Sequence, residues 1–229
     1  LKTEFSNIKL FKNSEKENIL KLLGFRPIHT SRRINPATTP PHTFNNHTRA
    51  YVKIQDGCDG KCSYCVVPKV RPELWSKNVI DVISEAEGYV SAGHKEIVLC
   101  GIRLGKYQVK GDTKCHAEPV SVSLNETLNQ VQGDATRQVN NLVDLIKELE
   151  KIDGLYRIRL SSIELHDITD DLIELMSKSK KLCHHLHISL QSGDDSILRD
   201  MNRPYTADNF FNKIEKIRKK IPDIGITTD

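Results

Sequence analysis

From residue 51 onward the sequence alternates short apolar runs of strand length with amphipathic stretches of helical period, and few folds admit that alternation. Strand patterns fall at 51–55, 96–100, 157–160, 185–190 and 224–228. Between them, Val79, Val82, Ile83, Ala86 and Val90 recur at the spacing of one helix face. So do Val139, Leu142, Leu145, Ile146 and Leu149, then the shorter set Leu172, Ile173 and Met176, then Phe210, Phe211, Ile214 and Ile217. Strand–helix–strand units join through right-handed crossovers into parallel sheets. The expected class is therefore α/β, with ligand-binding loops at the C-terminal ends of the strands.

The flanking segments read differently. Ser14-Glu15-Lys16-Glu17 forms a capping box, and Ile19, Leu20, Leu22 and Leu23 continue it as a short helix ending at Gly24. Residues 1–25 are thus expected to belong to a preceding unit. Residues 26–49 hold Pro27, Pro36, Pro40 and Pro41 among Thr, His and Asn, which predicts a linker. Residues 50–229 form the main domain, interrupted at about 108–137 by a run rich in Asn, Gln, Ser, Thr and Val that lacks any sustained period. The chain begins without Met and its last residues read as a strand cut short, the pattern expected of a fragment. With 38% hydrophobic and 28% charged residues in 229, the chain can bury one sizeable core. No run of 18 apolar residues offers a membrane span. The net charge of +4 is compatible with nucleic acid without requiring it. The first residues lack the apolar core of a secretory signal, which predicts a cytoplasmic protein with reduced thiols.

Those thiols are concentrated. Cys58, Cys62 and Cys65 lie within eight residues, directly after the first strand pattern and a glycine at Gly57. Thiolates favour soft metals, and iron–sulfur clusters are held mainly by cysteine. Three local thiolates can hold three irons of a 4Fe-4S cube and leave the fourth open for a substrate or cofactor. Zinc is the competing reading. A structural zinc site is closed and needs a fourth ligand, which Cys100, Cys115, Cys183 or one of nine histidines would have to supply. Cys115 with His116 is the other local pair, expected to be incidental.

The string Ile54-Gln55-Asp56-Gly57-Cys58-Asp59-Gly60-Lys61-Cys62-Ser63-Tyr64-Cys65 resembles the signature of radical S-adenosylmethionine enzymes, and more narrowly that of the methylthiotransferases. Three further strings match that family in order: Arg159-Leu160-Ser161-Ser162-Ile163-Glu164, His185 through Gly193, and Met201-Asn202-Arg203-Pro204-Tyr205-Thr206. Within the family the combination resembles the branch that methylthiolates N6-threonylcarbamoyladenosine beside the tRNA anticodon. The resemblance implies a partial (β/α) radical-SAM barrel. Cys58, Cys62 and Cys65 would ligate the 4Fe-4S cluster, and the amino and carboxylate groups of S-adenosylmethionine would take the open iron. Reductive cleavage to a 5′-deoxyadenosyl radical would then be the cofactor's own chemistry. It also implies cofactor contacts from Tyr64, Gly101, Ser161, Ser162, Glu164, Gln191 and Ser192. No residue is assigned a catalytic proton or nucleophile. At the strand ends the competing reading is a residue that caps the next helix, a role that Asp170 or Asp171 fits.

The implied target is a base in the tRNA anticodon loop, with Lys69, Arg71, Arg103 and Arg203 steering phosphate. Trp75 is expected to pack rather than stack. The implied electron donor is a flavodoxin or ferredoxin. Pro72, Ser76-Lys77, Arg103 and Leu165 depart from the family pattern and bear on the substrate branch. Alternative targets are isopentenyladenosine in tRNA or a ribosomal protein aspartate. A non-catalytic zinc or tRNA-binding module is the alternative from another class. Family members carry an auxiliary 4Fe-4S cluster on three N-terminal cysteines. No cysteine precedes Cys58, so this chain is expected to bind one cluster and to transfer no sulfur by itself.

Overall fold

The computed structural model describes residues 48–109 and 141–229. The expected N-terminal unit, nearly all of the linker, most of the insertion, Val139, Cys115 and His116 lie outside the described residues. In chain order the elements are β1 (Arg49–Asp56), α1 (Val67–Val70), β2 (Trp75–Ser76), α2 (Val79–Ser91) and β3 (Glu96–Gly101). They continue with α3 (Leu142–Leu149), β4 (Arg157–Leu160), α4 (Asp170–Lys178), β5 (His185–His187), α5 (Asp195–Asp200), α6 (Ala207–Lys220) and β6 (Gly225–Thr227).

β1, β3 and β4 form a parallel core, and β5 pairs in parallel with β6. Parallel bridges Ile158–Leu182 and Ile163–Ile188 carry the first sheet toward the second. The strands thus run β2-β1-β3-β4-β5-β6 as the open wall of a partial barrel. Ile97 and Leu99 on β3 are fully buried and Val98 nearly so, which explains why its sequence is a continuous apolar run instead of an alternating one. Three helices lay their expected stripes on the wall. Val82 and Ala86 of α2 are buried, as are Leu142, Leu145, Ile146 and Leu149 of α3 and Leu172, Ile173 and Met176 of α4. Full burial of one such Leu or Ile side chain contributes about 1.5–3 kcal/mol. On α6 only Ile217 is fully buried, and Phe211 is 60% exposed, outside the stripe expected for it.

Three details differ from the sequence expectation. β2 is a two-residue antiparallel edge strand that pairs Gln55 with Ser76 and Asp56 with Trp75. It leaves Trp75 49% exposed, so this side chain does not pack as expected. The strand expected over 185–190 ends at His187, where the Tyr205 hydroxyl donates to the carbonyls of Ser189 and Leu190. The cap of α4 is Thr169, whose hydroxyl accepts from the Leu172 N–H, rather than Asp170 or Asp171. Among the described residues no helix is long and apolar enough to cross a membrane.

Candidate functional site

The cysteine loop leaves the C-terminal end of β1 and is shaped first by its own backbone. Gly57 has φ +79°, and a Cβ built there would stand 1.8 Å from the carbonyl oxygen of Glu73. Only glycine permits both the conformation and the approach. The next residue closes the loop, because the Cys58 N–H donates to the Arg71 carbonyl at 3.0 Å. Within it, the Gly60 N–H donates to Cys58 Sγ at 3.2 Å and the Cys65 N–H to the Cys62 carbonyl at 3.2 Å.

Gln55 ties this loop to the one after β3. It is completely buried, and its Nε2 donates to the carbonyls of Asp56 and Gly57 at 2.8 and 2.9 Å. Its Oε1 accepts the Arg103 N–H at 2.7 Å. Gly101 makes room for it, since a Cβ there would lie 2.9 Å from Gln55 Cβ. The glycine expected to admit a cofactor thus also admits Gln55. Hydrogen bonds from Lys53, Gly57 and Arg71 outweigh the burial that would raise the Asp56 pKa, and hold it at about 2.

A second bank grips the loop from the far end of the domain. The Ser63 N–H donates to the Met201 carbonyl at 3.1 Å, and its hydroxyl to the Asp200 carbonyl at 2.7 Å. Asn202 Nδ2 donates to the Lys61 carbonyl at 2.6 Å. Arg203 Nη1 donates to Cys62 Sγ at 3.1 Å. The Arg203 side chain is only 3% exposed. It pairs with the Glu164 carboxylate, and its Nε and Nη2 donate to the Tyr205 hydroxyl at 3.0 and 2.9 Å. Burial acts to lower the Arg203 pKa, but Tyr205, Glu164 and Cys62 raise it overall. Arg203 is therefore no phosphate hook, because its donors are spent inside the protein.

The same correction applies to Arg103. Its Nε donates to Asp167 at 3.1 Å, its Nη1 to Asp59 on the cysteine loop at 2.5 Å, and it also contacts His166. Burial pushes the His166 pKa down, and the Arg103 charge adds to the effect. Lys69 is exposed, as Arg71 is although it pairs with Asp56, so of the four expected phosphate contacts these two keep their charge at the surface.

The remaining expected site residues fall at the same ends of the strands. Tyr64 is 52% exposed, with its hydroxyl 3.5 Å from Arg203 Nη1. Glu164 is half-buried and joined through Arg203 to Cys62. Ser161 follows β4, its N–H bonded to the Leu99 carbonyl at 3.0 Å, and Ser162 beside it is exposed. Gln191 has φ 71°, and its Nε2 donates to Asp229 at 3.0 Å. Ser192 accepts the Asp194 N–H at 3.1 Å, a turn contact ahead of α5. Cys62, Tyr64 and Glu164 are thus brought together around Arg203. Ser161, Ser162, Gln191 and Ser192 occupy the strand ends without a side-chain hydrogen bond to the cysteine loop. Sequence reasoning missed Gln55 and the inward role of Arg203. The available signal was the pairing of Arg203 with Tyr205 two residues on, inside a string already singled out.

Among the described residues no three His, Cys, Asp or Glu side chains stand close enough to hold a single metal ion. Donors around one zinc lie within about 4.6 Å of each other, twice the Zn–S bond. Cys58, Cys62 and Cys65 are among the side chains that form no such group, so a polynuclear cluster, whose ligands are spread over separate metal atoms, is suggested by their spacing on one loop. Burial raises the pKa of Cys100, and raises that of Cys183 against the opposing charge of Arg159.

Residues 52–229 match the Radical SAM superfamily. The chain is 36% identical over 187 residues to the threonylcarbamoyladenosine tRNA methylthiotransferase of Bacillus subtilis, covering 81% of this chain and 36% of that protein. It is 35% identical over 189 residues to the protein of that name in Thermotoga maritima, covering 82% and 37%. A tRNA-2-methylthio-N6-dimethylallyladenosine synthase of Carboxydothermus hydrogenoformans is 35% identical over 181 residues, covering 79% and 36%. The chain therefore spans little more than a third of the length of these curated relatives. Among solved structures, the radical S-adenosylmethionine methyltransferase TsrM of Kitasatospora setae, with cobalamin and a 4Fe-4S cluster bound, superposes with a TM-score of 0.50. The identity is 14%, over 78% of this chain and 29% of that one. The cobalamin-dependent S-adenosylmethionine radical enzyme OxsB gives 0.54 at 12% identity, over 78% and 23%. At such identities these two speak for the fold alone.

Proposed function

The chain belongs to the radical SAM superfamily, and from that premise we propose that it is the core of a radical SAM methylthiotransferase acting on tRNA. The observation that carries the proposal is the cysteine loop itself. Its three thiols follow β1 at the C-terminal end of a parallel sheet, where α/β folds collect their ligands, and one sulfur is met by a buried arginine. Cys58, Cys62 and Cys65 would hold a 4Fe-4S cluster, with S-adenosylmethionine on the open iron. When bound, these groups supply a one-electron route to a carbon radical. The chain supplies position: Gln55 and Gly57 fix the loop root, the 200–203 segment fixes its tip, and Arg203 joins Cys62 to Glu164. Tyr64, Gly101, Ser161, Ser162, Glu164, Gln191 and Ser192 would line the cofactor.

The proposed substrate is N6-threonylcarbamoyladenosine in the tRNA anticodon loop, with a flavodoxin- or ferredoxin-type electron donor in the cytoplasm. Dimethylallyladenosine is the second reading, because relatives of both names match at nearly equal identity. In this proposal residues 50–229 are the radical SAM core, 26–49 a linker and 1–25 the end of a preceding methylthiotransferase domain. The test is anaerobic reconstitution with iron and sulfide. The expected product is brown, with about four irons per chain, binds S-adenosylmethionine, and loses its iron on Cys62→Ala. One tight zinc and no iron would overturn the proposal in favour of a structural metal module. Substrate choice is then read by mass spectrometry of tRNA from cells in which the complete reading frame is deleted. Loss of the methylthio group from threonylcarbamoyladenosine and not from dimethylallyladenosine is the expected result.

A further inference from the structure

We infer that Arg203 sets the reduction potential of the cluster, acting as a positioning residue through the sulfur of Cys62. The inference rests on the cluster reading above and assigns Arg203 a task different from substrate binding. Three observations carry it. Nη1 points at Cys62 Sγ at 3.1 Å. The side chain is 3% exposed, so this hydrogen bond works in a medium that screens it poorly. The guanidinium cannot swing away, because Glu164 and the Tyr205 hydroxyl occupy its other donors and its Cζ lies 5.1 Å from the Tyr205 ring centroid.

The sign follows from charge. One-electron reduction adds negative charge to a cluster and its sulfur ligands. An N–H donor and a fixed positive charge at a ligand sulfur stabilise that reduced form and raise the potential; net charge and hydrogen bonds to sulfur are the protein's usual means of setting it. Glu164 pulls the other way, because its carboxylate offsets the Arg203 charge. Arg203 and Glu164 therefore form an opposed pair. Removing the cation lowers the potential, and neutralising the anion raises it.

The test uses the full chain, reconstituted with iron and sulfide, as wild type, Arg203→Met, Arg203→Lys and Glu164→Gln. Iron content is measured first. The midpoint potential is then measured by dithionite titration followed by electron paramagnetic resonance, without S-adenosylmethionine. Arg203→Met is expected to keep its iron and shift the equilibrium about tenfold toward the oxidised cluster, equivalent to about 59 mV for a one-electron couple. Arg203→Lys is expected to recover part of that shift, and Glu164→Gln to move the potential upward. Equal potentials in all four proteins at equal iron content overturn the inference and leave the cluster reading standing. So does a shift of the same sign in Arg203→Met and Glu164→Gln. If Arg203→Met fails to hold iron, Glu164→Gln decides: an upward shift supports the inference and an unmoved potential overturns it. A wild-type chain that takes up no iron removes both readings.

Discussion

Gly57→Ala tests whether the cysteine loop is positioned by steric necessity at its root. Two costs add. An L-residue in the left-handed region costs roughly 1–2 kcal/mol, and Gly57 sits at φ +79°. The new Cβ would also stand 1.8 Å from the Glu73 carbonyl oxygen and 2.7 Å from its carbon. That backbone must therefore retreat by about 1 Å, which at overpacked sites costs roughly 1–3 kcal/mol. The sum, roughly 2–5 kcal/mol, is a large part of an ordinary domain's stability of about 5–15 kcal/mol. The chain's single tryptophan, Trp75, lies two residues past Glu73 on β2 and reports the displacement directly. Urea unfolding followed by its fluorescence should show the midpoint falling by about 1–2.5 M at a slope of about 2 kcal/mol/M. Iron uptake should fall with it, since the loop closure from Cys58 to Arg71 moves. Gly88→Ala is the control. Gly88 lies inside α2 with nothing within 4 Å of its virtual Cβ, so alanine should stabilise by about 0.5–1 kcal/mol. A Gly57→Ala protein with the wild-type midpoint and full iron uptake would show that the loop root is free to rearrange.

At the opposite end of the strands, Glu96 is buried and accepts from Arg157 and Arg159 at 2.9 and 2.7 Å while pairing with Arg49 at 3.1 Å. Glu96→Gln leaves three guanidiniums around a neutral amide and should cost roughly 2–3 kcal/mol by chemical denaturation, with iron uptake unchanged. The Asp56 carboxyl titrates at about 2 when folded against an ordinary 3.8. A depressed acid stabilises the fold above its unfolded pKa, and that contribution is lost as pH falls from 3.8 through 2. Solvent screening leaves it on the order of 1 kcal/mol. Urea midpoints measured across that window should fall less steeply in Asp56→Asn than in wild type. Cys100→Ser and Cys183→Ser should retain iron on reconstitution, whereas Ser at 58, 62 or 65 should lose it; iron loss in Cys183→Ser would point to a ligand set different from the one proposed.

What the sequence disclosed and what it hid follow from the range of the interactions. β3 was legible because a strand buried on both faces is apolar at every position, and the stripes of α2, α3 and α4 because a helix repeats its buried face every turn. β2 has only two residues and therefore no period; its pairing is fixed by the turn at Gly57 and by the Lys77 N–H donating to the Ile54 carbonyl at 2.8 Å. α5 buries only Leu198, too little to leave a stripe. At the site the cysteine spacing was legible because it is local. Arg103 and Arg203 were read as exposed cations because arginine mostly is. Their burial comes from Asp167 and Glu164, carboxylates contributed by the segment after β4.

The root of the loop is set by contacts close in sequence, Gln55 to Gly57, Asp56 to Gly57 and Cys58 to Arg71, and by Arg103, 44 to 48 residues on, which meets Asp59 and Gln55. Its tip is set by partners 137 to 141 residues away, from Asp200 to Arg203. Contacts of such separation bear the cost of loop closure before they repay it, so they form with the rest of the barrel wall. Cys58 can therefore take its place early, while Cys62 acquires its arginine only once β4, Glu164 and the segment after α5 have come together. A cluster that binds all three sulfurs would stabilise this last, long-range contact most, which couples its binding to completion of the fold.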